Sequence, residues 1–177
     1  KTYDLYAKAR IAGQTSSFPL TIAAVATGSV PTLRDFFPDD YNSFSDKLSG
    51  NLQLMIAKSF DKFGFHVSPG YISTGYLLSE QENLSFFTIG LAGSVKLSDK
   101  LSANIEYLPH FNSDINSPKP LSLGVDVDTG GHLFQLILSN SQHMFSRGLY
   151  TSTMGDWSDR TLYFGFNLIR EFRIKYY

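Results

Sequence analysis

The chain has no cysteine, no long hydrophobic run and no excess of charge of either sign. Without cysteine it forms no disulfide, no thiolate metal site and no cysteine nucleophile. No stretch approaches the roughly 18 consecutive apolar residues that a transmembrane helix needs. A formal net charge of −1 leaves neither the basic excess that attracts nucleic acid nor an acidic tail. The composition therefore points away from helical membrane proteins and from nucleic acid as a partner.

Aromatic residues, in contrast, are abundant. They make up 15% of the 177 residues, as 15 Phe, 10 Tyr and one Trp. A transmembrane β-barrel uses such residues in girdles at the two lipid–water boundaries. A soluble β-protein could bury the same residues in an aromatic core, so composition alone leaves both classes open.

Strict alternation of apolar and polar residues recurs along almost the whole chain and predicts β-strands. The polar faces are rich in Gly, Ala, Ser and Thr, as an enclosed interior would be. A soluble sandwich with its apolar face turned inward would alternate in the same way. The alternating segments are residues 3–11, 18–30, 47–58, 63–77, 86–97, 101–110, the two halves of 121–140 and 162–177.

The lengths of the connections favour the membrane protein. Short connections at 12–17, 61–62, 98–100 and 129–131 alternate with longer ones at 31–46, 78–85, 111–120 and 140–161. Short turns at one end and long loops at the other are typical of outer-membrane barrels. Most segments also hold about the 9–11 residues that a tilted strand needs to cross a bilayer. The sequence therefore predicts an all-β fold, an antiparallel up-and-down transmembrane β-barrel forming a single domain over residues 1–177.

The tripeptide Thr129-Gly130-Gly131 interrupts the alternation, and the apolar residues change from odd to even positions there. A tight hairpin turn explains this, since Gly adopts the positive φ that such turns need. The alternative is a bulge within one long strand. A hairpin gives about nine strands in total. Because single-chain barrels have an even strand count, we expect further strands before Lys1 and about ten to twelve strands in all.

Three stretches carry a resemblance to a known family: "GVDVDTGGHLFQLILSNSQ", "TSTMGDW" and "TLYFGFNLIREFRIK". They resemble an uncharacterised family of outer-membrane β-barrel proteins of Bacteroidota, known by a domain-of-unknown-function label. The resemblance implies a barrel in the bacterial outer membrane, an exported precursor and further strands before Lys1, and it carries over no catalytic residue. The positions that match the pattern are Asp126, Asp128, Gly130, Gly131, His132, Gln135, Asn140, Gly155, Asp156, Trp157, Gly165 and Asn167.

Charged and histidine side chains on the polar faces form a predicted interior cluster. Its acidic pair, Asp126 and Asp128, could bind a cation or act as an acid–base pair. The other interpretation is pairing with interior cations, because unpaired charge in a confined space is costly. The members are Lys8, Arg10, Lys47, His66, Glu106, Asp126, Asp128, Glu171 and Arg173.

The histidines support no catalytic or metal site. None of the four has the i, i+2 or i, i+4 spacing of a metal motif. We expect His66 to be a hydrogen-bonded interior residue. A nucleophilic serine would need a nearby histidine base, and only Ser68, on the same face as His66, offers that arrangement. No catalytic residue, cofactor or metal is predicted.

The connection 140–161 is long enough to have a function of its own. Its apolar residues suggest that it folds into the barrel mouth, packs on its own barrel or meets a partner protein. The residues concerned are Met144, Phe145, Tyr150 and Trp157.

These features predict a non-enzymatic outer-membrane protein in contact with membrane lipid, either a narrow pore or the barrel subunit of a larger envelope complex. The alternative is a barrel that binds a lipid or small ligand. A hydrolase or acyltransferase is the third hypothesis.

Overall fold

Nine antiparallel strands form one sheet in the part of the chain that the structure, a computed structural model, describes, namely residues 2–31, 43–75, 85–111 and 117–170. Two short helices accompany them. Neither described helix is long and apolar enough to cross a membrane. The elements are β1 (Thr2–Ala12), β2 (Thr21–Pro31), α1 (Phe44–Lys47), β3 (Ser49–Ser59), β4 (Phe63–Ser73), β5 (Ser85–Lys96), β6 (Leu101–Tyr107), β7 (Leu121–Asp128), β8 (His132–Ser139), α2 (Ser146–Thr151) and β9 (Tyr163–Arg170).

The strands follow one another in the sheet in the order of the sequence, and each pairs antiparallel with the next. The sheet curls into a half-barrel whose two edge strands are β1 and β9. This confirms the predicted all-β, up-and-down architecture. Further strands before Lys1 stay a prediction.

The connections alternate in length, as predicted from the sequence. Because every strand reverses direction, one end of the sheet carries the connections 13–20, 60–62, 97–100 and 129–131. The other end carries the longer connections 32–48, 74–84, 108–120 and 140–162. Helix α1 lies in the first of these longer connections and α2 in the last.

The two faces of the sheet have opposite character. Phe65, Phe134 and Phe166 belong to an outer row of large apolar side chains that remain exposed. The concave face carries buried small and polar side chains such as Ser68 and Thr88. In a soluble sandwich the apolar row would be the buried one. The alternation therefore reflects an apolar surround and an enclosed polar interior.

The residues 129–131 form a hairpin turn and not a bulge. Asp128 pairs with Leu133, and the Thr129 amide donates to the His132 carbonyl at 3.0 Å. Gly130 has φ +82°, the left-handed conformation for which glycine was expected. The Asp128 Oδ1 atom accepts from the Gly130 amide at 2.7 Å. Asp128 therefore stabilises the turn.

The prediction that Lys47 belongs to a strand is wrong, because Lys47 is the last residue of α1. Ser43 and Asp46 form a capping box, in which Ser43 Oγ accepts from the Asp46 amide and Asp46 Oδ2 accepts from the Ser43 amide. These bonds favour a helical turn, and β3 begins only at Ser49.

We predict that Phe166→Lys destabilises the assembled protein by about 2–4 kcal/mol, because it places a charge on the lipid face. Unfolding in lipid vesicles with urea, followed by the shift of the folded band on gels, measures the change. Met154→Lys is the matched control: Met154 is as exposed as Phe166, at 70%, but lies in a loop. Equal stability of both variants would contradict the assignment of the outer face.

Candidate functional site

The two ends of the connection 140–162 are tied together beside the start of β7. Asn140 Oδ1 accepts from the Leu121 amide at 2.8 Å, and Asn140 Nδ2 donates to the carbonyls of Lys119 and Gly155, each at 3.2 Å. The Gly155 amide donates to the Asn140 carbonyl at 3.0 Å. Trp157 Nε1 donates to the Leu121 carbonyl, also at 3.0 Å. The whole connection 140–162 is called the inner loop below. Its base is thus fixed by the side chains of Asn140 and Trp157.

Gly155 is required at this base because the backbone passes too close for a side chain. A Cβ atom at Gly155 would lie 2.2 Å from the Thr161 carbonyl oxygen and 2.5 Å from that of Asn140. Both neighbours are backbone atoms and cannot rotate away. Any larger residue therefore forces the two ends of the inner loop apart.

The middle of the inner loop packs onto the concave face of the sheet. Helix α2 contacts β3, and Tyr150 is only 1% exposed. Its ring belongs to a buried cluster with Ile72, Phe86 and Leu108. Leu149, its neighbour, packs against the same cluster. These contacts hold α2 inside the curl of the sheet.

The Tyr150 hydroxyl faces Thr88 and Gln53 on the interior wall. Burial raises the pKa of Tyr150 above its ordinary value, and the charge of Glu106 acts in the same direction. The hydroxyl therefore stays neutral at physiological pH. A neutral phenol suits this position, because burial of an unpaired charge is costly.

The sequence left three alternatives for the inner loop, and the structure shows the one in which the loop packs on its own barrel. Its apolar residues do not form one surface. Tyr150 is buried, Trp157 braces the base, Phe145 is half-buried against the His143 ring at 5.2 Å, and Met144 is largely exposed.

Beneath the inner loop lies a cavity of about 570 Å³, called the chamber below. Its walls are the concave faces of β3 to β9, and its roof is residues 141–144 with Leu149. The register places His66 and Glu106 in one row across the sheet, with Ala92 between them. Asp126, Gln135 and Asn167 stand directly opposite one another in a second row, across β7, β8 and β9.

This second row is joined by hydrogen bonds and is called the amide ladder below. Gln135 Nε2 donates to Asp126 Oδ1 at 3.1 Å, and Asn167 Nδ2 donates to Gln135 Oε1 at 3.4 Å. Within the described residues, the partner of Asp126 is therefore an amide and not the interior cation that was predicted. Asp128 does not join Asp126 in the interior, since its carboxylate serves the turn. The proposed acid–base pair of Asp126 and Asp128 is not formed.

Lys8 and Arg10 lie on the interior face of the edge strand β1, where both are exposed. Lys8 stands in one cross-strand row with Val25 and Gln53, and its charge acts on His66. Lys8 and Arg10 share a face with Asp4, whose carboxylate accepts a hydrogen bond from Ser29. Glu171 and Arg173 lie outside the described residues.

His66 and Ser68 lie on the interior face, as predicted, without forming a catalytic pair. His66 Nε2 is buried and has no hydrogen-bond partner in the described part of the chain, so the expected hydrogen bond is not made at this atom. The Ser68 hydroxyl lies against Gly90, where a Cβ atom would be 2.2 Å away. Across residues 2–31, 43–75, 85–111 and 117–170, no three His, Asp or Glu side chains come together as metal ligands.

Sequence reasoning missed the docking site of the inner loop. Ile72 and Phe86 occupy interior positions of β4 and β5, where the other side chains are small or polar. Two large apolar residues on an otherwise polar face indicate that another apolar segment of the protein packs on them. Asn140 and Gly155 matched the resemblance, but no local pattern disclosed that they contact each other.

The chain belongs to the family described as "Membrane bound beta barrel domain (DUF5777)", whose model matches residues 1–172. No curated protein and no solved structure shows significant similarity to it. The family confirms the membrane-bound β-barrel predicted from the sequence, and it assigns no activity.

We predict that Gly155→Ala loosens the inner loop at a cost of about 1–3 kcal/mol, because the added methyl group overlaps backbone atoms. Limited proteolysis within 141–161 measures the opening, and cleavage should be several-fold faster than in the unaltered protein. Gly131→Ala is the control, since a Cβ atom there meets nothing within 4 Å. Unchanged cleavage in Gly155→Ala would show that the loop base is not a rigid clamp.

Proposed function

We propose that this membrane-bound β-barrel protein is a non-enzymatic protein of the bacterial outer membrane, with an interior that serves as a narrow passage for small solutes. The observation that carries the proposal is the inner loop, which is held inside the curl of the sheet by buried Tyr150. Such a loop restricts the passage without filling it, because the chamber remains beneath it.

The placement in the outer membrane is supported by the distribution of the connections. Outer-membrane barrels carry short turns on the periplasmic side and long loops on the outer side. The inner loop belongs to the long-loop end of this sheet. It would therefore narrow the outer mouth, while the chamber lies between it and the short-turn end.

The interior wall favours a passage over a solid core. Small barrels can be filled completely by their own side chains, whereas wide porins leave an open aqueous channel. Here Gly64, Gly124 and Gly165 line the chamber together with serines and amides. These small side chains leave room for a solute of limited size, and the polar groups replace part of its hydration.

A second candidate function is a barrel that holds a small ligand, and the chamber itself favours it. Its volume lies within the range of about 300–1,000 Å³ that is usual for small-molecule sites. The two functions are compatible, because a solute that crosses the barrel passes through the chamber and can bind there on its way.

An outer-membrane hydrolase or acyltransferase has the least support. Nε2 of His66 has no hydrogen-bond partner among the described residues, so Ser68 is not activated through that atom. A role as the barrel subunit of a larger envelope complex is tested separately, by gentle purification from native membrane and identification of copurifying proteins.

Planar-bilayer recording of the intact protein tests the passage. We expect a small, fluctuating conductance for the unaltered protein. Replacement of residues 143–152 by a short Gly-Ser linker should raise the conductance several-fold and make it steady, because the roof and Tyr150 are then gone. Tyr150→Ala should give an intermediate result, since it removes only the buried contact.

Met154→Ser is the control, because Met154 is exposed in the same loop and touches neither the cluster nor the chamber. Equal conductance in the unaltered and loop-replaced proteins would mean that the inner loop restricts nothing. Absence of conductance in both, with correct folding shown on gels, would contradict the passage and leave the subunit of an envelope complex and the ligand-binding barrel as the candidate functions.

A further inference from the structure

We propose that the chamber binds a small neutral polyhydroxylated solute, of the size of a mono- or disaccharide. The inference rests on the proposed function, in which small solutes enter the interior. It is carried by the amide ladder, by the apolar patches beside the ladder and by the acidic groups of the chamber.

The amide ladder offers the mixed donors and acceptors that hydroxyl groups need. Each sugar hydroxyl both donates and accepts, so it is best met by a carboxylate next to an amide. The ladder bonds engage one oxygen of Asp126 and one amide hydrogen each of Gln135 and Asn167. Each side chain therefore keeps capacity for a ligand, while the bonds between them fix its orientation.

The charge of the chamber disfavours an anionic solute. Glu106 and Asp126 are the acidic groups of the chamber. Lys96 stands in the same cross-strand row as Asp126, whereas Lys58 pairs with Phe65 and its ammonium lies over the Phe60 ring on the outer face. The two carboxylates therefore repel an anion, and a cationic probe tests the remaining alternative.

The rest of the lining suits a sugar better than a lipid tail. Ala57, Ile137 and Leu149 provide apolar patches for the C–H face of a pyranose ring. An acyl chain would instead leave the amide ladder without hydration or replacement partners, which is unfavourable. The apolar patches and the ladder together match a molecule with one polar edge and one apolar face.

Isothermal titration of the intact protein in detergent tests the inference, with glucose and maltose as neutral probes. Choline and gluconate are charged probes of comparable size. We expect saturable binding of at least one sugar. Gln135→Leu should weaken it at least tenfold by removing the centre of the ladder, and Gly124→Val should do the same by filling the chamber.

Gly28→Val is the matched control for the added bulk, because Gly28 lies outside the chamber and a Cβ atom there meets nothing within 4 Å. Sugar binding that both chamber variants leave unchanged, binding of only the charged probes, or no binding at all would each overturn the inference. The conductance of the loop-replaced protein tests the passage independently. A conducting protein that binds no sugar therefore refutes the solute class and not the passage.

Discussion

The structure depends on one constraint, which is that every backbone N–H and C=O group within a membrane must find a partner in the protein. Strands β2 to β8 meet this constraint by pairing with a neighbour on each side, and β1 and β9 are the two edges of the described sheet. Once the backbone is used in this way, successive side chains can point only outwards or inwards. The apolar row on the outside and the small polar residues inside follow directly. Within the described residues, the interior is then the enclosed place where a site can form.

The buried apolar cluster of this protein is small and has a special position. Ile72, Phe86, Leu108 and Tyr150 join the inner loop to the wall, whereas the sheet is held by its ladders. Two separate sets of interactions thus stabilise the barrel wall and its inner loop. The loop can therefore change position without disturbing the strand pairing, and strand pairing does not by itself secure the loop.

Local patterns in the sequence disclosed the strands, the alternation of connection lengths and the Gly130 turn, because each depends on neighbouring residues only. Lys47 was misplaced since the capping box of Ser43 and Asp46 competes with the alternation that surrounds it. The partner of Asp126 could not be predicted, because it is set by the register of β7 against β8. The clamp of Asn140 on Gly155 joins two distant positions, and only the folded loop brings them together.

The inner loop connects the two parts of the proposed function. Its base is fixed by backbone and amide hydrogen bonds at Asn140 and Gly155, but its middle is held mainly by side-chain packing of Tyr150. Movement is therefore expected in the middle, with the base as the fixed point. Leu149 lines the chamber and also packs against the cluster that holds Tyr150. A solute that presses on Leu149 would therefore act on the contact that keeps the loop inside, which couples occupancy of the chamber to the width of the mouth.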